Sequence, residues 1–166
     1  HKSEHRAVAT DLDDSDDVYA AAKDLLTRLR RHFKGLSLQV QAMARGHREV
    51  LLGMTRDERF GPLFALGLGG TLVEVLRDVS VRVGPLDSRD PAEMIAKLKG
   101  AAVLGEFRGE PAVQVEIAEN CLLRLQQLVT DFPRIQEVEI NPFILGSKRV
   151  KSVAVDARIR VGNSRE

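Results

Sequence analysis

Along two stretches of the chain, apolar residues recur at spacings of three and four. Along several others they alternate with polar ones. Val18, Ala22, Leu25, Leu29 and Phe33 form the first helical stripe, which opens at Asp13-Asp14-Ser15 and closes at Gly35. Short oxygen-bearing side chains at its start can accept first-turn N–H groups, acids there suit the positive end of the helix dipole, and glycine favours the left-handed turn that ends a helix. Ile117, Cys121, Leu125, Leu128 and Phe132 form the second stripe. It stops before Pro133, because the residue preceding a proline is pushed out of the helical region. Between the two, Asp90-Pro91-Ala92-Glu93 predicts a shorter helix with a capping Asp90, a proline in the first turn and Met94, Ile95 and Leu98 facing inward, ending at Gly100.

The alternating stretches read as strands. Arg6 to Leu12 is a short extended segment. Leu36, Leu38, Val40 and Ala42 alternate with Ser37, Gln39, Gln41 and Met43, and further strands are expected over Glu49–Thr55, Leu63–Leu68, Leu72–Leu76 and Ser80–Val83. Leu104 to Pro111 reads as a loop, and the residues from Glu137 to Leu145 and from Ser152 to Val161 alternate again. Strands in a run, with helices gathered on one side of them, predict an α+β fold: an antiparallel sheet with helices packed on one face.

Composition narrows the function. Hydrophobic residues make up 43% of the 166, enough for a core. Twenty-five Lys and Arg against twenty-four Asp and Glu leave a formal charge of +1, with no Trp and one Tyr. A nucleic-acid partner and an anionic membrane surface are therefore not expected. No apolar run reaches the length of a membrane span and no signal peptide opens the chain, so a cytoplasmic location is expected. Cys121 is the one cysteine, which excludes an intrachain disulfide; on its apolar stripe it reads as a buried, inert thiol. His1, His5, His32 and His47 lack metal-ligand spacing.

Candidate chemistry concentrates near the C-terminus. The polar turn Gly146 to Lys151 has its centre between Lys148 and Arg149, and a symmetric hairpin about that centre sets Asn141 opposite Asp156. Directly opposed residues share a face with Cβ atoms about 5 Å apart, so an amide oxygen and a carboxylate can hold one hard cation there. Glu139 lies on the same strand face. The plain alternative is a polar outer face on a two-stranded ribbon. Gly67-Leu68-Gly69-Gly70 either makes a tight connection or lets backbone N–H groups approach phosphate oxygens. A turn centred on Asp78 sets Glu74 opposite Arg82, which either neutralises phosphate charge or pairs with Glu74 in a surface salt bridge.

Glu139-Ile140-Asn141-Pro142 and Val155-Asp156, preceded by Arg56-Asp57-x-x-Phe60-Gly61-Pro62, Gly67 to Gly70 and Val73 to Val79, closely resemble the ATP-grasp domain of ADP-forming acyl-CoA synthetases, the acetate-CoA ligases and relatives of the succinyl-CoA synthetase beta subunit. The resemblance runs from His1 to about Val161. It implies that residues 36–161 are the larger ATP-grasp lobe, that 1–35 are the end of the preceding lobe, and that 162–166 are a tail. It implies ATP or ADP and magnesium as cofactors, with Asn141 and Asp156 as metal ligands, Glu139 orienting a phosphohistidine, and Arg82 as the second catalytic group. Gly69 and Gly70 would contact the nucleotide's phosphates, Glu74 would be a further nucleotide-binding residue, and Gln39, Val40, Gln41 and Met43 would meet the adenine. Its expected partners are the CoA-binding and phosphohistidine-bearing domains of the parent protein. Two departures stand out: the preceding lobe and its lysine do not appear before His1-Lys2-Ser3, and Arg6-Ala7 stand where the family carries Gly-Gly. The rival expectation is a nucleotide-binding regulatory or structural module that has lost catalysis.

Overall fold

The computed structural model describes residues 7–44, 46, 48–70 and 78–162. They belong to two compact units, His1–Met43 and Ala44–Glu166. The first holds α1 (Ser15–Leu29), capped as its sequence predicts: Asp14 Oδ1 accepts the N–H groups of Asp16 and Asp17, each at 2.9 Å. The strand expected over Leu36 to Met43 does not form. Alternation makes a strand only where a neighbour takes up its N–H and C=O groups, and residues 36–44 have no regular structure, with Leu38, Val40 and Met43 exposed at 39%, 74% and 53%.

Among the described residues, the second unit is a sheet with two α-helices. Its elements in order are β1 (Arg48–Asp57), β2 (Gly61–Leu68), β3 (Val79–Val83), α2 (Asp90–Ala96), a short 3-10 helix (Ala101–Leu104), α3 (Val115–Asp131), β4 (Ile135–Leu145), β5 (Val153–Ala154) and β6 (Ala157–Val161). The six strands run β3-β2-β1-β4, with β5 and β6 both pairing along the outer edge of β4, and every pairing is antiparallel. The β1–β2 hairpin turns where Asp57 Oδ1 accepts the N–H groups of Arg59 and Phe60 at 2.8 and 2.9 Å, and Gly61 supplies a φ of +76°. This unit therefore has the expected α+β architecture. The strand expected over Leu72–Leu76 lies outside the described residues.

Period-two alternation builds the core. Val50, Leu52 and Met54 of β1, Phe64 and Leu66 of β2, and Val138 and Ile140 of β4 point to one face and pack with Met94 of α2, Leu98, and Leu122, Leu125 and Val129 of α3. Burying each of these side chains contributes about 2 kcal/mol. Arg56 fastens the frame, donating to the Ile135 and Val129 carbonyls at 3.2 Å each. The start of α2 differs from expectation. Asp90 is already helical and Arg89 is the N-cap, with no side-chain cap bond of its own; just ahead of it, Asp87 Oδ1 accepts the N–H groups of Arg89 and Asp90 at 2.7 and 3.1 Å. Asp90 is drawn away from capping because its carboxylate also binds Arg82.

Candidate functional site

The C-terminal hairpin has the register read from its turn. Ile144 opposes Val153, Phe143 opposes Ala154, Ile140 opposes Ala157 and Glu139 opposes Arg158. Between these pairs the Asn141 N–H donates to the Asp156 carbonyl at 3.0 Å, and the Val155 N–H donates to the Pro142 carbonyl at 3.1 Å. Asn141 thus stands opposite Asp156. The turn holds this register because Gly146 donates to Ser152 Oγ at 3.0 Å, and a Cβ on Gly146 would lie 1.8 Å from the Val150 carbonyl oxygen. On the other side of β4 the pairing slips: Val50 opposes Phe143 and Leu52 opposes Ile140, which leaves Asn141 and Pro142 together opposite Leu51. Such a bulge bends the strand and re-aims a side chain, and Asn141 is exposed beyond the sheet's core face.

Four charged groups border this pair. Arg158 Nη2 lies 2.6 Å from Glu137 Oε1 and 3.5 Å from Glu139 Oε2, while Arg160 Nε lies 3.0 Å from Glu137 Oε2. The Arg160 and then the Arg158 guanidinium hold the Glu137 carboxyl below the usual carboxylate range. The Asn141 amide nitrogen sits 3.5 Å from Glu139 Oε1, which leaves the amide oxygen as its acceptor end. Sequence reading passed over Arg158 and Arg160, although the register that opposes Asn141 to Asp156 also opposes Glu139 to Arg158.

Among the described residues no cluster of three His, Cys, Asp or Glu side chains is placed to hold a metal. The donor set here is sparser: one amide oxygen and one carboxylate, with a second carboxylate alongside. Magnesium that keeps several waters and shares its remaining positions with phosphates needs only one or two protein oxygens, so this set fits a metal–nucleotide better than a bare ion.

Beside Glu139, on the sheet face turned away from α2 and α3, Gly53 and Ala65 form the floor of a trough of about 310 Å³ bounded by Leu51, Leu63 and Val81. Arg82 is not part of this face. It pairs with Phe64, whose side chain is in the core, and its guanidinium is held on the helix side by Asp90 and by Glu93 at 2.8 Å. That pairing also pulls the Glu93 carboxyl below its usual range. The other arm of the turn expected about Asp78 lies outside the described residues, but Asp78 itself is placed. Its carbonyl accepts the Leu68 N–H, continuing the β2–β3 pairing, and its buried carboxylate accepts the Lys99 and Gly100 N–H groups at 2.9 and 2.8 Å. Glu74, its expected partner across that turn, lies outside the described residues, as does Arg6.

The two glycines separate. The Gly69 N–H donates to the Glu49 carbonyl at 2.6 Å, and a Cβ on Gly69 would lie 2.5 Å from the Glu49 carbonyl carbon, so close backbone packing is what requires glycine there. Its N–H is spent in the sheet, contrary to the expected phosphate contact. Gly70 has a φ of +83° and is exposed. Gly69 also borders a cavity of about 660 Å³ with Arg48, Lys99, Val103, Phe107 and Arg108, which sequence reading missed because residues far apart in the chain form it. Gln39, Val40, Gln41 and Met43 belong to the first unit, where all four are exposed.

The ATP-grasp domain model matches residues 1–161. The chain belongs to the ATP-grasp domain family. Its curated relatives include the beta subunit of acetate–CoA ligase [ADP-forming] I of Pyrococcus furiosus, 33% identical over 96% of this chain and 69% of that subunit. A second is the 4-hydroxybutyrate–CoA ligase [ADP-forming] of Nitrosopumilus maritimus, 32% identical over 96% of this chain and 23% of the relative. The chain thus spans most of a separate subunit and about a quarter of a fused ligase. Among solved structures, a Korarchaeum cryptofilum acetyl-coenzyme A synthetase 1 in complex with coenzyme A and Ca-AMPCP matches with a TM-score of 0.86 at 32% identity, covering 96% of this ATP-grasp chain and 70% of that one. The same synthetase with coenzyme A and Mg-AMPPCP, its phosphohistidine segment pointing towards the nucleotide-binding site, matches with a TM-score of 0.81 at 33% identity over 97% and 70%. No helix among the described residues is long and apolar enough to cross a membrane.

Proposed function

We propose that this chain is the nucleotide- and magnesium-binding part of an ADP-forming acyl-CoA synthetase, working on phosphoryl transfer between a nucleotide and a phosphohistidine or acyl phosphate. The observation that carries the reading is Asn141 opposed to Asp156 with Glu139 beside them, on the sheet face that also bears the Gly53–Ala65 trough. When bound, magnesium would neutralise phosphate charge and orient the transferred group. Asn141 and Asp156 would hold it, Glu139 would orient the incoming histidine, and the trough would accept a flat apolar surface such as a nucleobase. Such chemistry rests mainly on positioning and charge stabilisation. The relatives named above are ligases and synthetases, which favours this reading over a regulatory module. By the same analogy its partners are the CoA-binding and phosphohistidine-bearing segments of the synthetase.

The test is an NMR titration of the chain with AMPPCP, with and without Mg²⁺. Shifts at Glu139, Asn141 and Asp156 that require Mg²⁺ and vanish in Asp156→Asn support the reading. Binding indifferent to both overturns it.

A further inference from the structure

The sheet face that carries Glu139, Asn141 and Asp156 needs a cation for the phosphates, and Arg82, the residue expected to supply it, is on the other side. From the contacts that remain we infer that Arg158 is the phosphate-binding cation of this site, and this rests on the nucleotide reading above. Arg158 lies directly opposite Glu139, at the second residue of β6 and two residues along the chain from Asp156. A phosphate held at the Asn141–Asp156 pair comes within reach of a long arginine side chain there.

Arg158 is also placed to leave its present partners. Its side chain is 70% exposed, and both of its ion pairs run through the one nitrogen Nη2, out of five N–H donors on the group. Glu137 keeps the Arg160 guanidinium on its other oxygen when Arg158 turns away, so the more tightly held of the two glutamates retains a counter-ion. Glu139 is held only at 3.5 Å on each oxygen, by Arg158 and by the Asn141 amide. The planar fork of an arginine also matches phosphate oxygens in pairs. Arg160, across from Glu137 and a further step from Asp156, is paired to Glu137 alone of the two glutamates.

The experiment compares the wild-type chain, Arg158→Gln, Arg158→Lys and Arg160→Gln for binding of Mg-AMPPCP and of AMP. It also follows the Arg158 guanidinium resonance in the wild type. The expected result is a movement of that resonance on adding Mg-AMPPCP but not AMP. Arg158→Gln should weaken Mg-AMPPCP about tenfold with AMP changed less than about twofold, as loss of a charge-assisted contact predicts. Arg158→Lys should recover only part of the loss, because a point charge replaces the planar fork, and Arg160→Gln should stay within about twofold of wild type. A stationary guanidinium signal in a wild type that binds Mg-AMPPCP overturns the assignment while leaving the nucleotide reading intact, and so do equal small losses in Arg158→Gln and Arg160→Gln. Failure of the wild type to bind Mg-AMPPCP overturns both.

Discussion

On the helix side of the sheet Arg82 sits between Asp90 and Glu93 with its side chain 24% exposed, tying β3 to α2. On the opposite face Arg158 joins Glu137 and Glu139 across the β4–β6 ladder with its side chain 70% exposed. Both are arginines between two carboxylates, and both stand on strands at the limits of the described sheet. The difference is what else surrounds them. Arg82 and Asp90 are largely withdrawn from water while Glu93 stays 56% exposed at their margin, and breaking the Arg82–Asp90 pair leaves a mostly buried carboxylate without its cation. Arg158 faces solvent, where an ion pair is worth at most about 1 kcal/mol and an incoming phosphate can displace it. Residue identity does not distinguish a brace from a binding group; the face of the sheet does.

The sharpest way to break this comparison is Asp156→Asn in the protein that carries this domain. An isosteric amide keeps the packing of the hairpin but removes the charge that, on the proposed function, would attract magnesium. Turnover should fall by about a hundredfold or more, the scale of losing one preorganised electrostatic contact, while the melting temperature stays nearly unchanged. Unchanged turnover would remove the site from catalysis, and a large fall in melting temperature would make Asp156 structural.

Gly69→Ala tests the sheet end where a phosphate role was expected. Its new Cβ would meet the Glu49 backbone, so urea denaturation should show a loss of about 3 kcal/mol. Gly70→Ala should cost about 1 kcal/mol, from left-handed strain alone. If both cost the same, close packing against Glu49 is not what requires glycine at position 69.

Arg82→Gln should destabilise the fold by about 2 kcal/mol, because Asp90, its side chain 13% exposed, loses its charged partner. Mg-AMPPCP affinity should not change, measured on the folded fraction. An arginine on the helix side that proves dispensable for folding yet needed for nucleotide would invert the contrast between the faces.

The smallest effect is expected from acid. Glu137 on one face and Glu93 on the other both have carboxyl groups held below their usual range by arginines. A depressed folded pKa gives stability that is present above the unfolded value and is lost as pH falls through the folded one. Melting temperature should therefore drop as pH falls from about 5 toward about 3. In high salt the part of this slope removed by Arg160→Gln should shrink more than the part removed by Arg82→Gln, since exposed pairs are screened first. Equal screening on both faces would mean the Arg82 cluster is as open as that of Arg158.

Much of this was legible along the chain because it depends on local periodicity and on a turn. Alternation named β1, β2, β4 and the hairpin partner of β4; three-and-four spacing named α1 and α3; the symmetric turn about Lys148 and Arg149 fixed which residue opposes which. Backbone sterics and a short loop decide these, and both are written in neighbouring residues. The same arithmetic contained the Glu139–Arg158 pairing. What only the tertiary structure decided is which face each alternating residue meets and what lies across from it. The segment from Leu36 to Met43 alternates as well as β1 does, yet no strand among the described residues pairs with it and it stays irregular. Arg82 has the residue type of a phosphate clamp, but Phe64 beside it belongs to the core, so Arg82 turns toward α2. Gly69 looks like a phosphate loop until Glu49, twenty residues earlier in the chain, is brought against it. Burial and close approach are properties of pairs of elements, and no single stretch of sequence carries them.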